Sequence, residues 1–204
     1  MSEVITMRPK SSFLEEGFIE FCKFLKERNV TKILEIGSYA GESLMMYKKY
    51  LGKDVLVVSI DPWDKLDDEN DLIHNNDFNK VEQLYNANTL NERNIVKCKM
   101  YSQDISNMFS DGFFDCLYVD GLHTYEQVKI DLLCYKSKVK EGGLICGHDY
   151  DIEYTDKQRA EIRDFEGNDR LRKAVSKAVN EIVGKPNLTF GDSSWVKLNL
   201  DINK

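Results

Sequence analysis

Lys32-Ile33-Leu34-Glu35-Ile36-Gly37-Ser38-Tyr39-Ala40-Gly41 reads as a short apolar strand running into a turn bounded by two glycines. Glu42 to Leu51 then continues as a helix. The same strand-then-helix grammar recurs on both sides. Upstream, Phe13-Leu14, Phe18, Phe21-Cys22 and Leu25 fall at helical spacing, which predicts an amphipathic helix over Ser12–Arg28. Downstream, Asp54–Ile60, Ile95–Met100, Phe113–Val119 and Leu144–Cys146 read as four more buried strands. Between them the spacing predicts helices over Asp77–Leu90, Asp104–Phe109 and Thr124–Val139, and a last one over Leu171–Val183. The stretches 64–77 and 151–167 read as polar loops. Leu188–Phe190 and Trp195–Leu198 flank Gly191-Asp192-Ser193-Ser194 as a closing hairpin. Five apolar strands alternating with helices imply an α/β fold, a mostly parallel central sheet with helices on both faces. Ligands in such sheets lie beyond the carboxyl ends of the strands.

Composition narrows the function classes. The chain has 204 residues and reads as one domain: a helical segment over 1–30, a core over 31–150, and a loop, helix and hairpin over 151–204. Net charge is −7, which disfavours a nucleic-acid binder and suits a small-molecule substrate. No apolar run exceeds four residues, so no membrane span is expected. Met1 to Ser12 lack the apolar core of a secretion signal. The five cysteines show neither a C-x-x-C pair nor zinc-like spacing. Cys98, Cys116 and Cys146 sit in apolar strands and read as reduced core residues, so a cytoplasmic location is expected.

The strand ends carry the chemistry. Gly37 and Gly41 allow a tight turn and close backbone approach after the first strand. Asp61 ends the second strand, where an acid accepts the hydroxyls of a ribose. Asp120-Gly121-Leu122-His123 follows the fourth, and Gly147-His148-Asp149-Tyr150 the fifth. Two of the three histidines therefore fall on one rim, while His74 reads as a solvated loop residue. Each feature alone is weak, because any strand-to-helix turn can hold glycines and Asp61-Pro62 can serve as a plain cap.

Taken jointly, the pattern resembles the class I S-adenosylmethionine-dependent methyltransferases over about Val30 to Tyr150. Ile33-Leu34-Glu35-Ile36-Gly37-Ser38 to Gly41 looks like their donor-binding motif, and Ser59-Ile60-Asp61 like their ribose-binding acid. Tyr118-Val119-Asp120-Gly121-Leu122-His123-Thr124-Tyr125-Glu126, Asp131-Leu132 and Gly142–Tyr150 are similar to a subgroup with macrolide-sugar and rhamnosyl O-methyltransferases.

The resemblance implies a Rossmann-like fold and S-adenosylmethionine as cofactor. It implies a divalent cation, magnesium or manganese, at positions matching Asp120 and His148-Asp149, and a base at His123. A histidine at 148, where an acid is usual, tilts that site toward manganese, or is no ligand at all. Glu35, Gly37, Ser38, Tyr39 and Gly41 would hold the donor's methionine part and Asp61 its ribose, with Asp120 alongside. Ser102 and Asp104 would approach its adenine. Tyr39 and Trp63 either pack on the donor or belong to ordinary packing. Tyr125, Tyr150 and Tyr154 are acceptor-side candidates, with Arg159 and Arg163 in the same polar loop.

The resulting expectation is an O-methyltransferase of a sugar hydroxyl, such as that of a deoxy-sugar in a glycan or glycoside. A phenol or catechol acceptor is the runner-up, and a non-catalytic donor-binding domain is another reading. A nicotinamide oxidoreductase fits poorly, because the first turn is Gly-x-x-x-Gly rather than Gly-x-Gly-x-x-Gly. The expected partner is a small-molecule or glycan acceptor. The chain could assemble as a homo-oligomer or belong to a larger glycan-modifying polypeptide.

Overall fold

The computed structural model describes residues 12–65, 76–161 and 165–199. His74, Arg163 and most of the acidic 64–77 stretch lie outside them. In chain order the elements are α1 (Ser12–Glu27), β1 (Lys32–Ile36), α2 (Glu42–Leu51), β2 (Leu56–Ile60), α3 (Phe78–Thr89), β3 (Ile95–Cys98) and α4 (Ser102–Ile105). There follow β4 (Phe114–Val119), α5 (Tyr125–Tyr135), β5 (Val139–Gly147), α6 (Asp156–Glu161), α7 (Phe165–Ile182), β6 (Leu188–Thr189) and β7 (Trp195–Leu198).

The seven strands form one sheet in the order β3-β2-β1-β4-β5-β7-β6. The first five are parallel, while β7 pairs antiparallel with β5 and with β6. This is the α/β architecture expected, with the hairpin closing one edge. The strand order reverses between β1 and β4, and a crevice opens there at the carboxyl rim.

Side chains alternate across the strands and divide the core into two layers. Ile33, Val57, Cys116, Tyr118, Leu144 and Cys146 pack on one face, with Phe21 and Leu25 of α1, Leu44 and Tyr47 of α2 and Val81 and Tyr85 of α3. Leu34, Ile36, Val58, Ile60, Leu117, Val119 and Ile145 pack on the other, with Val128 and Leu132 of α5 and Val175 and Val179 of α7. Because both faces are covered, β4 is buried along its whole length. All five cysteines are free. No helix among the described residues is long and apolar enough to cross a membrane.

Several boundaries differ from the sequence reading: the strands expected over Asp54–Ile60 and Ile95–Met100 are the shorter β2 and β3, and the helix expected over Asp104–Phe109 is α4, starting at Ser102, with a 3-10 turn over Ser106–Met108 after it. The helix expected to reach Val139 ends at Tyr135; a 3-10 turn over Lys136–Lys138 follows, and Val139 already belongs to β5. That strand starts before the Gly142-Gly143 pair, which lies inside it with Gly142 at φ +73°. The polar stretch 151–167 also contains α6 and the start of α7. Helix α6 buries no residue, so it has no apolar stripe to reveal it. Its signal is a capping box instead. Thr155 Oγ1 accepts from the Gln158 N–H at 3.3 Å, and Gln158 Oε1 accepts from the Thr155 N–H at 2.9 Å.

Candidate active site

The crevice is built by the close approach of the β1 and β4 ends. Gly37 sits at φ +86°, and a Cβ there would lie 2.0 Å from the Asp120 carbonyl oxygen. Only glycine fits both the dihedral and the space. The Asp120 N–H donates to the Ile36 carbonyl at 2.8 Å, which fixes the two turns against each other.

Glu35, one residue before that pair, points into the α1–α2 layer and is fully buried. Its carboxyl accepts from Ser38 Oγ at 2.9 Å and from Tyr47 OH at 3.3 Å, and Ser59 Oγ donates to Ser38 Oγ at 2.6 Å. Burial pushes its pKa up to about 8, and those hydroxyls only partly offset it. Asp61 ends β2 with both oxygens engaged by backbone: Oδ2 accepts from Tyr39 N at 2.9 Å and Oδ1 from Trp63 N at 2.7 Å. Burial raises its pKa to about 6 against those bonds.

A cavity of about 210 Å³ runs along this rim. Ile36, Gly37 and Tyr39 line it after β1, Ile60, Asp61 and Pro62 after β2, and Asp120, Gly121 and Leu122 after β4. Ser102, Gln103, Gln127 and Asp131 close its far end.

At the other end the rim gathers the acids and histidines. One atom each of Asp120, His123 and Asp149 lies within 4.8 Å of the others. His123 Nε2 stands 3.3 Å from Asp120 Oδ1 and 3.1 Å from Asp149 Oδ2. Thr124 fixes the start of α5 by accepting the Gln127 N–H at 3.2 Å, which holds His123 at the rim. Asp149 occupies the left-handed region at φ 56°, a conformation that turns its carboxylate back toward the rim.

His148 lies beside this group, its Nδ1 3.2 Å from Asp149 Oδ2 and 3.7 Å from Asp120 Oδ1. Burial works against its charged form, but Asp149 and Asp120 outweigh burial and hold its pKa at about 9. Burial likewise works against an ionised Asp149, yet His148, His123 and Arg172 bring it well below the usual carboxylate range.

Three N/O donors so close together are the chemistry a divalent transition ion prefers, and two carboxylates suit magnesium as well. Asp120, His123 and Asp149 therefore fit a cation. His148 stands beside this group, its Nδ1 toward Asp149.

Other sequence candidates fall elsewhere. Trp63 is 4% exposed, packs edge-on to Tyr85 at 4.7 Å and donates its indole N–H to the Tyr39 carbonyl. It thus holds the Tyr39 turn from behind. Ser102 lines the cavity and is buried, whereas Asp104 is exposed and lines none of it. Tyr125 donates its hydroxyl to Glu181 on α7. Tyr150 is buried and donates to Asn180 Oδ1 at 2.9 Å. Tyr154 is buried beneath Arg172, whose guanidinium sits 4.9 Å from its ring centre. Arg172 Nε in turn lies 4.0 Å from Asp149 Oδ1.

Sequence reading gave no site role to Arg172, Asp192, Gln127 or Asp131, although Asp131 stands among the residues that carry the resemblance and Asp192 in the hairpin turn. Asp192 Oδ2 lies 3.8 Å from His148 Nε2 and accepts from Ser194 Oγ at 2.7 Å.

Comparison with known proteins agrees with this fold. The chain belongs to the methyltransferase-domain family, whose model matches residues 34–150. Fold and family together are those of class I S-adenosylmethionine-dependent methyltransferases. Among solved structures, the chain is similar to a candidate caffeoyl-CoA O-methyltransferase from Staphylococcus aureus. The TM-score is 0.63 at 16% identity, covering 93% of this chain and 85% of the other. It is also similar to the O-methyltransferase TomG from Streptomyces achromogenes, involved in tomaymycin synthesis and solved with S-adenosylmethionine. There the TM-score is 0.55 at 10% identity, covering 94% and 92%. Spermidine synthase from Thermotoga maritima shares the fold at a TM-score of 0.52 and 14% identity, covering 91% of this chain and 58% of that one. No curated protein matches the chain.

Proposed function

We propose that this protein methylates a hydroxyl oxygen from S-adenosylmethionine, and that the acceptor is a sugar hydroxyl. The observation that supports this reading is His123 Nε2 held between Asp120 and Asp149, of which Asp120 also lines the cavity that holds the Gly37 turn. The sulfonium donor is already activated, so the protein's tasks are alignment and removal of the acceptor proton.

In this reading Gly37 and Tyr39 present backbone to the donor's amino-acid end, with Glu35 and Ser38 supporting that turn from beneath. Asp61 takes the ribose hydroxyls. His123 accepts the acceptor's hydroxyl proton at Nε2, and the flanking carboxylates stabilise the imidazolium that forms. Asp120 and Asp149 would hold a divalent cation, which supplies Lewis-acid stabilisation of a developing alkoxide. A sugar hydroxyl is a weaker acid than a phenol, so a site equipped with both an imidazole and two carboxylates suits the harder acceptor.

Two alternatives have specific support. The Staphylococcus aureus relative carries a phenolic name, which favours a phenol or catechol acceptor. The mutual proximity of Asp120, His123 and Asp149 favours His123 as a third ligand in place of a base.

The test begins with calorimetric titration of metal-stripped protein by S-adenosylhomocysteine, with and without manganese or magnesium. Micromolar binding is expected, and no binding under either condition sinks the donor reading. A panel of deoxy-sugars and catechols then assigns the acceptor. His123→Ala is expected to lower turnover by about 10²–10⁴-fold with donor affinity unchanged. Loss of manganese affinity in that variant would instead make His123 a ligand.

A further inference from the structure

The turn after β1 has an unusual member. Gly37, Tyr39 and Gly41 are alternate residues of it, and all three have positive φ, at 86°, 44° and 78°. Glycine takes such angles freely. A tyrosine does not, so other contacts must hold it there. Trp63, in the turn after β2, shares the left-handed region at φ 46°.

Three hydrogen bonds close a ring around the two residues. Asp61 accepts from the Tyr39 N–H at Oδ2 and from the Trp63 N–H at Oδ1. Trp63 completes the ring by donating its indole N–H to the Tyr39 carbonyl at 2.8 Å. The indole is itself clamped. Tyr85 packs edge-on to it at 4.7 Å, and Lys97 Nζ lies 4.5 Å from its ring centre. Lys97 in turn is tied to Glu82 at 2.6 Å and to Asn86 at 2.8 Å, both on α3. Tyr39, Asp61 and Pro62 line the cavity, whereas Trp63 is not part of its wall. Trp63 therefore reaches the site through Tyr39 and Asp61.

We propose that Trp63 is a positioning residue for donor binding. Its indole N–H fixes Tyr39 in the left-handed conformation, so a turn with a tyrosine at its centre keeps the shape that glycine adopts unaided. This rests on reading the cavity as the S-adenosylmethionine site. Without the indole bond, Tyr39 relaxes toward negative φ in a fraction of molecules. The donor must then restore the turn as it binds, and its apparent affinity falls by the fraction that remains competent.

The test is calorimetric titration with S-adenosylhomocysteine in a double-mutant cycle. Trp63→Phe keeps a ring between Tyr85 and Lys97 but removes the N–H. It should weaken binding about 3–10-fold, the net worth of one neutral hydrogen bond, with circular dichroism unchanged. Tyr39→Gly takes the positive φ without help, so adding Trp63→Phe to it should cost less than about twofold further. The same loss in both backgrounds, or lower stability with unchanged affinity, would overturn the proposal and leave Trp63 a packing residue. If Trp63→Phe does not fold, the wild-type protein decides through hydrogen exchange of its indoles. Coupling is reciprocal, so S-adenosylhomocysteine should slow exchange of the Trp63 indole N–H by about the same 3–10-fold, measured relative to the Trp195 indole. Equal slowing of the two indoles overturns the proposal. Failure of the wild type to bind S-adenosylhomocysteine at all is a separate outcome, which removes the donor site itself and the inference with it.

Discussion

Glu35→Gln should make this protein more stable at neutral and alkaline pH while weakening donor binding. The unfolded carboxyl ionises near 4.5, whereas burial in the fold holds it protonated up to about 8. Between those values the folded chain binds more protons than the unfolded chain. Stability is therefore fully present below about 4.5 and falls as pH rises toward 8, then levels off. At about 1.4 kcal/mol per pH unit, the cost is about 3 kcal/mol at pH 7 and about 5 kcal/mol above pH 8. Glutamine keeps the shape and does not titrate. Its urea-unfolding free energy should equal or slightly trail the wild type at pH 5 and exceed it by a few kcal/mol at pH 9. Asp61 and Asp131, both raised to about 6, titrate in both proteins and cancel in the difference. Parallel curves for the two proteins would refute the reasoning and mean that Glu35 is ionised in the fold. The functional half is read separately: Glu35 reaches the donor turn only through Ser38, so affinity for S-adenosylhomocysteine should fall a few-fold, as about one neutral hydrogen bond supporting that turn is altered. Unchanged affinity would make Glu35 purely structural.

Lys48 is 5% exposed, and its Nζ donates to the carbonyls of Lys53, Val55 and Arg93 at 3.1, 2.6 and 2.5 Å. Lys48→Met should cost about 2–4 kcal/mol in urea unfolding, since three carbonyls lose one charged donor; a change within 0.5 kcal/mol, the usual range for a surface site, would contradict it. Gly37→Ala places a methyl 2.0 Å from the Asp120 carbonyl at a positive φ, so expression as soluble folded protein should be lost or the melting temperature should drop by 10 °C or more, corresponding to roughly 3 kcal/mol.

The fold was legible because burial on both faces leaves strands that are mostly apolar, and β1, β2 and β4 are apolar but for Lys32 and Glu35, Ser59 and Asp115 respectively. The rim was legible because parallel strands all end on one side, so Asp61, Asp120 and Asp149 meet from distant sequence positions. What escaped has a common cause. Arg172 and Asp131 lie within helices, where a charged residue reads as part of a solvated face. Each is instead turned inward, Arg172 at 4% exposure and Asp131 at 1%. Tyr125 shows the converse. Its place in the Asp120–Glu126 phrase suggested the rim, but the first turn of α5 aims it at α7.

Asp192 was missed for a topological reason that makes it testable. A strand running antiparallel to the rest begins at the rim where its neighbours end. Trp195 at the start of β7 pairs with Gly147 at the end of β5, so the turn before β7 falls beside His148. The contacts follow: Tyr150 N–H donates to the Ser193 carbonyl at 3.1 Å, and Trp195 Nε1 to the His148 carbonyl at 3.3 Å. Helix α1 presses on the same turn, because a Cβ on Gly17 would lie 2.2 Å from the Asp192 backbone nitrogen. Gly17→Ala must therefore move either α1 or the turn, at about 1–3 kcal/mol for overpacking. If the turn moves, the Asp192 carboxylate shifts against His148 Nε2. The imidazole resonance of His148 should then move in the variant, and its titration midpoint should fall from about 9 as one of its carboxylates withdraws. A loss of stability with the His148 resonance and midpoint unchanged would show that α1 yields instead, and that the hairpin holds its place at the rim without it.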